Sequence, residues 1–370
     1  MGGPTVSVLK VGHELAALGC DVRIAARLSG NLDVLRRSLA AYVPVVVLGA
    51  RGGLGSLLAM VPGTQHRAGL RRTIGAFRPD VVHDNGLWHP TNLASAAAAQ
   101  EASLPWISQP RGMLEPWALK QQVWKKRAAW HLYQHRQLRT AAALVATNAG
   151  EAQQLRRLLP RARVEVVPNG VDWPQTLHSA ARGAATRQAL FLSRMDPVKQ
   201  VPLLVDLWSE LRMPSWKLVL AGPGHRDEIN RLRQRIVERG AMDIIDLRPA
   251  VYGEAKRQLL EESELFVLPS RSESFGNAIA EAMAHGLPVL TTTATPWADT
   301  IHGGCGWCVT AEPDALREAL REALATSSSQ LAAMGARARA AVRDFSWRAC
   351  AERLLRLYES VPRSAVLTRP

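Results

Sequence analysis

Short apolar runs alternate along this chain with longer amphipathic stretches, a pattern that predicts parallel strands joined by crossover helices. Residues 6–18 read as a helix and 21–26 as a strand. Further strands fall at 43–48 and 81–83, the second entered through the turn Phe77-Arg78-Pro79-Asp80. A helix over 94–102, a strand over 106–108, a long helix over 120–139 and strands over 143–147 and 164–167 complete a first unit. Residues 173–187 show no clear period and read as a linker. The alternation then restarts, with strands over 189–193, 217–221, 244–247, 265–268 and 289–292. Helices over 201–211 and 227–239, and others between the later strands, separate them. The expectation is an α/β chain of two doubly wound, Rossmann-like domains facing across a cleft, with a ligand outside the carboxyl ends of the strands. The expected division is 1–172, a linker over 173–187, a second domain over 188–345, and a C-terminal helix within 346–370 that returns to the first domain.

The opening breaks the pattern. A doubly wound domain starts with a central strand, then a Gly-rich turn, then a helix. Here the Gly2-Gly3-Pro4 turn follows Met1 directly. The first strand of the first sheet is therefore expected to be missing. Either the start lies upstream of Met1, the favoured reading, or the sheet lacks a strand at its switch point. In the second case the first domain is expected to pack loosely, because its helices lose part of their sheet face.

Composition adds limits. A chain of 370 residues exceeds what one core usually organises, and 47% hydrophobic with 21% charged residues is globular rather than disordered. There is no apolar run long enough to span a membrane, and the first residues lack the basic start and apolar stretch of a signal peptide. A cytoplasmic location is the expectation. The net charge of +14 calls for an anionic partner or surface without choosing among nucleic acid, lipid and phosphorylated substrates. Cys305-Gly306-Trp307-Cys308 is a C-x-x-C, yet no second ligand pair accompanies it, so a zinc or redox site is not expected.

Candidate chemistry concentrates in the second unit. The strand over 189–192 runs into Arg194, and Lys199 follows five residues later. Two cations at a strand end suit a diphosphate leaving group, which needs fixed positive charge where negative charge develops. The alternative is a pair of solvated cations on a loop. The strand over 265–268 leads into Ser270, Glu273, Ser274, Phe275, Gly276 and Asn277, and the helix that follows carries Glu281. Gly276 permits close backbone approach, and a helix starting near Asn277 aims free N–H groups at phosphate. Glu273 and Glu281 lie roughly 12 Å apart along a helix axis. That separation suits clamps on the hydroxyls at the two ends of one elongated ligand better than an acid/base pair.

Arg194 with Lys199, and Glu273-x-Phe275-Gly276 followed by Glu281-Ala282, resemble the donor signature of retaining glycosyltransferases of family 4, which have the GT-B fold. The resemblance covers nearly the whole chain, including Gly2-Gly3-Pro4, Asp80-Val81-Val82-His83, Pro168-Asn169-Gly170-Val171-Asp172 and Ala221-Gly222-Pro223-Gly224. It implies that Arg194 and Lys199 bind the donor diphosphate and stabilise its departure. Glu273 would contact the transferred sugar, with Ser274, Phe275, Gly276 and Asn277 offering backbone donors. Glu281 would hold the ribose, Gly222, Gly224, Arg248 and Val251 would line the nucleotide, and Gly2 and Gly3 of the opening turn would approach the donor. The donor would be a nucleotide-sugar and the acceptor a glycan or polyprenyl-linked glycan. No cofactor is implied: family members work without a bound metal, the cations replacing Mg²⁺, and no Asp-x-Asp occurs in this chain.

The first unit is expected to hold the acceptor, through His83 and His89 after one strand and Arg111 after the next. Many family members carry a His near the position of Arg111; here an arginine could hold a phosphate of acceptor or donor. A front-face retaining transfer needs no enzymic base, because the departing phosphate takes the acceptor proton, so hydrogen bonding suits the two histidines better than base chemistry. The string Pro110-Arg111-Gly112-Met113-Leu114-Glu115-Pro116-Trp117 resembles a subgroup tied to bacterial surface and capsular polysaccharides. The helix over 120–139 mixes Lys125, Lys126 and Arg127 with Trp124, Trp130 and Tyr133, a composition suited to docking on an anionic bilayer or to core packing with a solvated basic face. Rival readings are a nucleotide-sugar epimerase or phosphorylase on the same architecture, an inactive scaffold, and a nucleic-acid binder, for which no motif is present.

Overall fold

In a computed structural model the described residues are 3–26, 45–47, 64–174 and 186–362. They form two compact units, Met1–Gly170 with Trp347–Pro370, and Val171–Ser346. The predicted linker falls largely on 175–185, outside the described residues, as does Gly2.

The first unit runs α1 (Gly3–Ala17), β1 (Ile24–Ala26), β2 (Val45–Val47), α2 (Thr64–Phe77), β3 (Val82–Asn85), α3 (Pro90–Glu101) and β4 (Trp106–Gln109). It continues with α4 (Pro116–Lys120), α5 (Val123–Ala129), α6 (His135–Leu138), β5 (Ala143–Ala146), α7 (Ala149–Leu158) and β6 (Val164–Val166). The second unit begins with β7 (Arg187–Leu192), α8 (Val201–Leu211), β8 (Trp216–Ala221), α9 (Arg226–Glu238) and β9 (Ile245–Arg248). Then come α10 (Gly253–Glu261), β10 (Leu265–Leu268), α11 (Asn277–Ala284), β11 (Val289–Thr292), α12 (Ala298–His302), β12 (Gly306–Val309), α13 (Pro313–Ala325) and α14 (Ser328–Ala341). The last helix, α15 (Trp347–Ser360), packs against α1 in the first unit.

In the second unit one parallel sheet of order β12-β11-β10-β7-β8-β9 carries the core. Its strands are continuous apolar runs because helices cover both faces: Phe191, Leu218, Val267 and Leu290 are fully buried. The helices bury stripes, such as Leu316, Ala319, Leu320, Ala323 and Leu324 on α13, at the spacing one helical face demands.

Among the described residues the first unit has two parallel sheets, β1-β2 and β3-β4-β5-β6. A cavity of about 1500 Å³ is lined by both β1 and β3.

Two predicted helices differ in extent. The helix expected over 94–102 starts at Pro90, because His89 caps it: the ring Nδ1 accepts from Thr91 N–H. The expected single helix over 120–139 is broken. Gln121 is extended and Gln122 left-handed at φ 52°, and a π turn over Trp130–Gln134 separates α5 from α6. A side chain at φ 52° cannot continue a right-handed helix.

Candidate active site

Every donor-side residue predicted in the second unit lies at or beyond the carboxyl end of a strand in the six-stranded sheet. Arg194 and Lys199 follow β7, Gly222 and Gly224 follow β8, Arg248 ends β9, and Glu273 to Asn277 follow β10. The chain starts this sheet with β7, extends it on one side through β8 and β9, and then crosses to the other side for β10. The order reverses between β7 and β10, and a doubly wound sheet opens a crevice there.

Lys199 and Glu273 meet at this reversal. Lys199 is buried and Glu273 nearly so, their side chains 8% and 12% exposed, and the ammonium Nζ is bonded to Glu273 Oε1. The two loops are fastened around the pair. Gln200, left-handed at φ 54°, donates from Nε2 to Pro269 O at 2.8 Å and accepts from Arg271 Nε at 2.8 Å. Arg271 N–H also donates to Val198 O at 2.8 Å. Asp196 Oδ1 accepts from Val198 N–H at 3.1 Å and starts the short 3₁₀ turn Pro197–Lys199.

Arg194 behaves differently. It is 64% exposed and its ion pair with Asp196 spans 3.6 Å. Glu281, on α11, is paired with Lys256 of α10 at 2.7 Å. Arg248 is bonded to Asp246 at 2.9 Å, and Val251, half-buried, packs on the core.

The turns that follow β7 and β8 are tight for steric reasons. A Cβ on Gly222 would lie 1.7 Å from Ser193 O, and one on Gly224 would lie 2.9 Å from Met195 Cβ. Side chains there would push apart the loops after β7 and β8. Gly276 is left-handed at φ 78° and caps α11, with Asn277 first in that helix. Phe275 is buried and rests edge-on against Trp297, with ring centroids 5.3 Å apart. The Trp297 indole donates to Phe275 O, and Phe345 packs on both rings. Trp297, Phe345 and Gln200 thus set the shape of this loop pair, and no short sequence motif marks them. Ser274 adjoins Phe275 and is half-buried.

In the first unit the predicted residues separate into two roles. His83 Nδ1 is bonded to the Tyr358 hydroxyl of α15 at 2.7 Å. Burial, aided by the nearby Arg111 charge, lowers its pKa to about 3, so it is neutral near neutral pH. His89 is exposed and serves α3 as its N-cap, with Nδ1 2.8 Å from Thr91 Oγ1. Neighbouring Asp84 is pushed up to about 7 by burial, although Asn92 donates to both its oxygens at 3.0 Å. Gly3 is the first residue of α1.

Arg111 ends in a cradle of amides. Its Nε and Nη2 donate to Asn85 Oδ1 at 3.0 and 2.7 Å, and Nη1 donates to Asn169 Oδ1 at 2.9 Å. Burial lowers its pKa only to about 10, so the guanidinium stays charged while its hydrogen-bonded neighbours here are neutral. The loop beneath it is held by Glu151, buried on α7, which accepts from Gly112 N–H at 2.6 Å and Thr147 N–H at 2.7 Å.

Cys305 and Cys308 are free and buried, and burial raises both thiols, Cys308 to about 11. Among the described residues no group of three or more His, Cys, Asp or Glu could hold a metal ion.

Comparison with known proteins agrees with this architecture. The family described as "Glycosyl transferase 4-like domain" matches residues 2–170, and "Glycosyl transferases group 1" matches 186–326. The chain belongs to the family-4 glycosyltransferases and has the GT-B fold. A GDP-mannose:cellobiosyl-diphosphopolyprenol alpha-mannosyltransferase of Xanthomonas oryzae is 34% identical over 155 residues, a match that spans 40% of this chain and only 40% of that relative's length. Sucrose-phosphate synthase from Thermosynechococcus elongatus superposes with a TM-score of 0.79 at 20% identity, covering 97% of this chain and 93% of the other. HepE of Anabaena, in complex with UDP and glucose, gives a TM-score of 0.78 at 19% identity, covering 97% and 96%.

Proposed function

We propose that this chain transfers a sugar, with retention at the anomeric carbon, from a nucleoside-diphosphate sugar to a glycan or polyprenyl-linked glycan during envelope polysaccharide synthesis. The observation that carries the reading is the buried Lys199–Glu273 pair at the strand-order reversal. A buried cation and a sugar-gripping acid are wanted there together. Before donor binds, each neutralises the other; when a diphosphate arrives, the ammonium gains a second anionic neighbour and Glu273 is released towards sugar hydroxyls. The anomeric C–O bond then breaks as Lys199 and Arg194 take up the charge developing on the leaving diphosphate. The acceptor oxygen bonds the same face of that carbon, and its proton passes to the departing phosphate oxygen. These two cations replace a divalent metal, so transfer proceeds in the presence of chelator.

The Xanthomonas relative uses GDP-mannose and a diphosphopolyprenol-linked acceptor, and the Anabaena structure holds UDP and glucose. Both point to a nucleotide-sugar donor here, and the first supports a lipid-linked acceptor. Arg111, charged and cradled by Asn85 and Asn169, suits a phosphate of that acceptor. No helix among the described residues is long and apolar enough to cross a membrane. Contact with the inner face of the plasma membrane is instead assigned to α5 and the π turn after it, where Trp124 and Leu132 are 82% and 79% exposed beside exposed Lys125 and Arg127.

The test is a thermal-shift screen with UDP, GDP and ADP and their sugar conjugates, followed by transfer assays with the stabilising donor in EDTA. One nucleotide-sugar should raise the melting temperature and be consumed with an α-configured donor giving an α-linked product. Failure of every nucleotide-sugar to bind would remove the proposal.

A further inference from the structure

A cluster of cations lies in the first unit where α15 meets the edge strand β6. Successive strand residues point to opposite faces, so Arg163, Glu165 and Val167 fall on one face. Val167 shares a buried core with Leu354 and Leu357, which places that face towards α15. On the helix, Arg353, Arg356, Leu357 and Ser360 follow the i, i+3, i+4, i+7 spacing of a single side. The strand row and the helix row together line a cavity of about 260 Å³, with Val167 and Leu357 as its apolar part.

The charges of this lining do not balance. Three guanidiniums face one carboxylate, Glu165, a difference of +2. That carboxylate is engaged: Glu165 Oε1 accepts from Arg163 Nε at 3.0 Å. The far side of the same guanidinium is tied to the end of α15, with Nη2 donating to Ser360 Oγ at 2.9 Å and Nη1 to Ser360 O at 3.4 Å. Arg163 is thereby held in place at the cavity. Arg353 and Arg356 make no hydrogen bond or ion pair among the described residues. The acids of their own helix are turned elsewhere. Glu352 is bonded to Arg348 at 3.0 Å, and Glu359 lies near Cys20, whose thiol is pushed up by burial and by that carboxylate. Like charges three residues apart on a helix repel, and the Arg163 charge adds to that repulsion.

We propose that this cavity is a phosphate site of the first unit, separate from the donor crevice of the second, and that it takes the phosphate group of a small phosphorylated ligand. The forks of Arg353 and Arg356 each offer paired N–H donors that match two phosphate oxygens. The surplus of +2 equals the charge of a phosphate monoester dianion, and an anion seated there removes the repulsion between the two arginines. A cavity of about 260 Å³ is smaller than the roughly 300–1,000 Å³ that enclose drug-sized ligands. It therefore holds the phosphate and leaves the rest of the carrier in solvent. A free phosphate ester and a lipid headgroup share this chemistry.

The test follows amide exchange of the whole chain during titration with inorganic phosphate, with pyrophosphate, and with vesicles containing phosphatidic acid, against vesicles of phosphatidylcholine alone. The wild type is compared with Arg353→Gln plus Arg356→Gln. Both arginines are exposed, so the double variant should keep the wild-type melting temperature. Exchange over 163–167 and 353–360 is expected to slow in the wild type, with half-protection needing at least about tenfold more anion in the double variant. Protection by the soluble anions assigns the site to a free ligand, and protection by phosphatidic acid vesicles alone assigns it to a headgroup. Equal titrations for the two proteins would overturn the proposal. So would protection confined to the loops after β7 and β10, which would place the anion in the donor crevice.

Discussion

Lys199 and Glu273 are bonded to each other although 74 residues separate them, because β7 and β10 are neighbours in the sheet while β8 and β9 extend it on the far side of β7. A pair this buried has strong consequences when one member is lost. Removing the lysine leaves a carboxylate without its partner, which costs several kcal/mol, whereas removing both charges is close to neutral.

Lys199→Ala should therefore lose about 3 kcal/mol of stability and roughly 10²–10³ in transfer rate. Adding Glu273→Gln to it should restore most of the stability and none of the activity. Chemical denaturation and initial-rate assays on both variants separate the roles; recovery of activity in the double variant would show that Lys199 only neutralises Glu273.

Gly222→Ala tests the turn after β8. The added Cβ meets a backbone oxygen, Ser193 O, at 1.7 Å, and backbone cannot move aside as the end of a flexible side chain can. The loops after β7 and β8 must separate. Donor affinity should fall at least about tenfold, near 1.4 kcal/mol, as read by calorimetry with the donor nucleotide, and the melting temperature should fall with it. An unchanged affinity would detach this turn from the donor site.

How much of this was legible in the sequence follows from distance along the chain. The strands β7, β8 and β10 are short apolar runs bounded by polar loops, and local pattern alone predicts them. Residues Arg194, Lys199 and Glu273 lie in motifs within a few positions of those strands. Their pairing was not legible, because it depends on strand order. Gln200, Trp297 and Phe345 were missed for the same reason: each acts on a loop far away in sequence. His83 and His89 carry structural contacts that local pattern does not report: one is bonded to Tyr358, 275 residues away, and the other caps a helix, which histidine rarely signals. Gln122 breaks the predicted long helix through backbone conformation, which side-chain periodicity does not report.

His83 and Asp84 should make opposite contributions to the pH dependence of stability in the first unit. His83 titrates near 3 when folded against an ordinary 6.5. The unfolded chain gains its proton first, so this stability is lost as pH falls below 6.5. Asp84 titrates near 7 when folded against 3.8, so its stability is present at low pH and lost as pH rises from about 4 to 7. Each spans up to about 4 kcal/mol, less where water enters the cavity. In the wild type the two slopes oppose each other between about pH 4 and 6.5. His83→Gln should leave a protein less stable at pH 7 than at 4.5, and Asp84→Asn the reverse. Denaturant melts of the first unit's transition at the two pH values check this, and identical profiles for both variants would contradict it.

The exposed apolar side chains on α5 and the π turn supply the remaining test. Trp124 and Leu132 are 82% and 79% exposed, and Val123 is 44% exposed. Isolated surface apolar residues need no explanation, but several together beside cations fit an interfacial surface. Because these side chains are exposed, replacing them leaves packing intact, so Trp124→Ser with Leu132→Ser should keep the wild-type melting temperature. Binding to vesicles containing anionic phospholipid should fall at least about tenfold, since apolar insertion and electrostatic attraction act together. Raising salt should weaken the wild type further. Transfer to a short soluble acceptor should be unaffected while transfer to a polyprenyl-linked acceptor in vesicles slows. A double variant that still sediments with vesicles as the wild type does would move the membrane contact away from this helix.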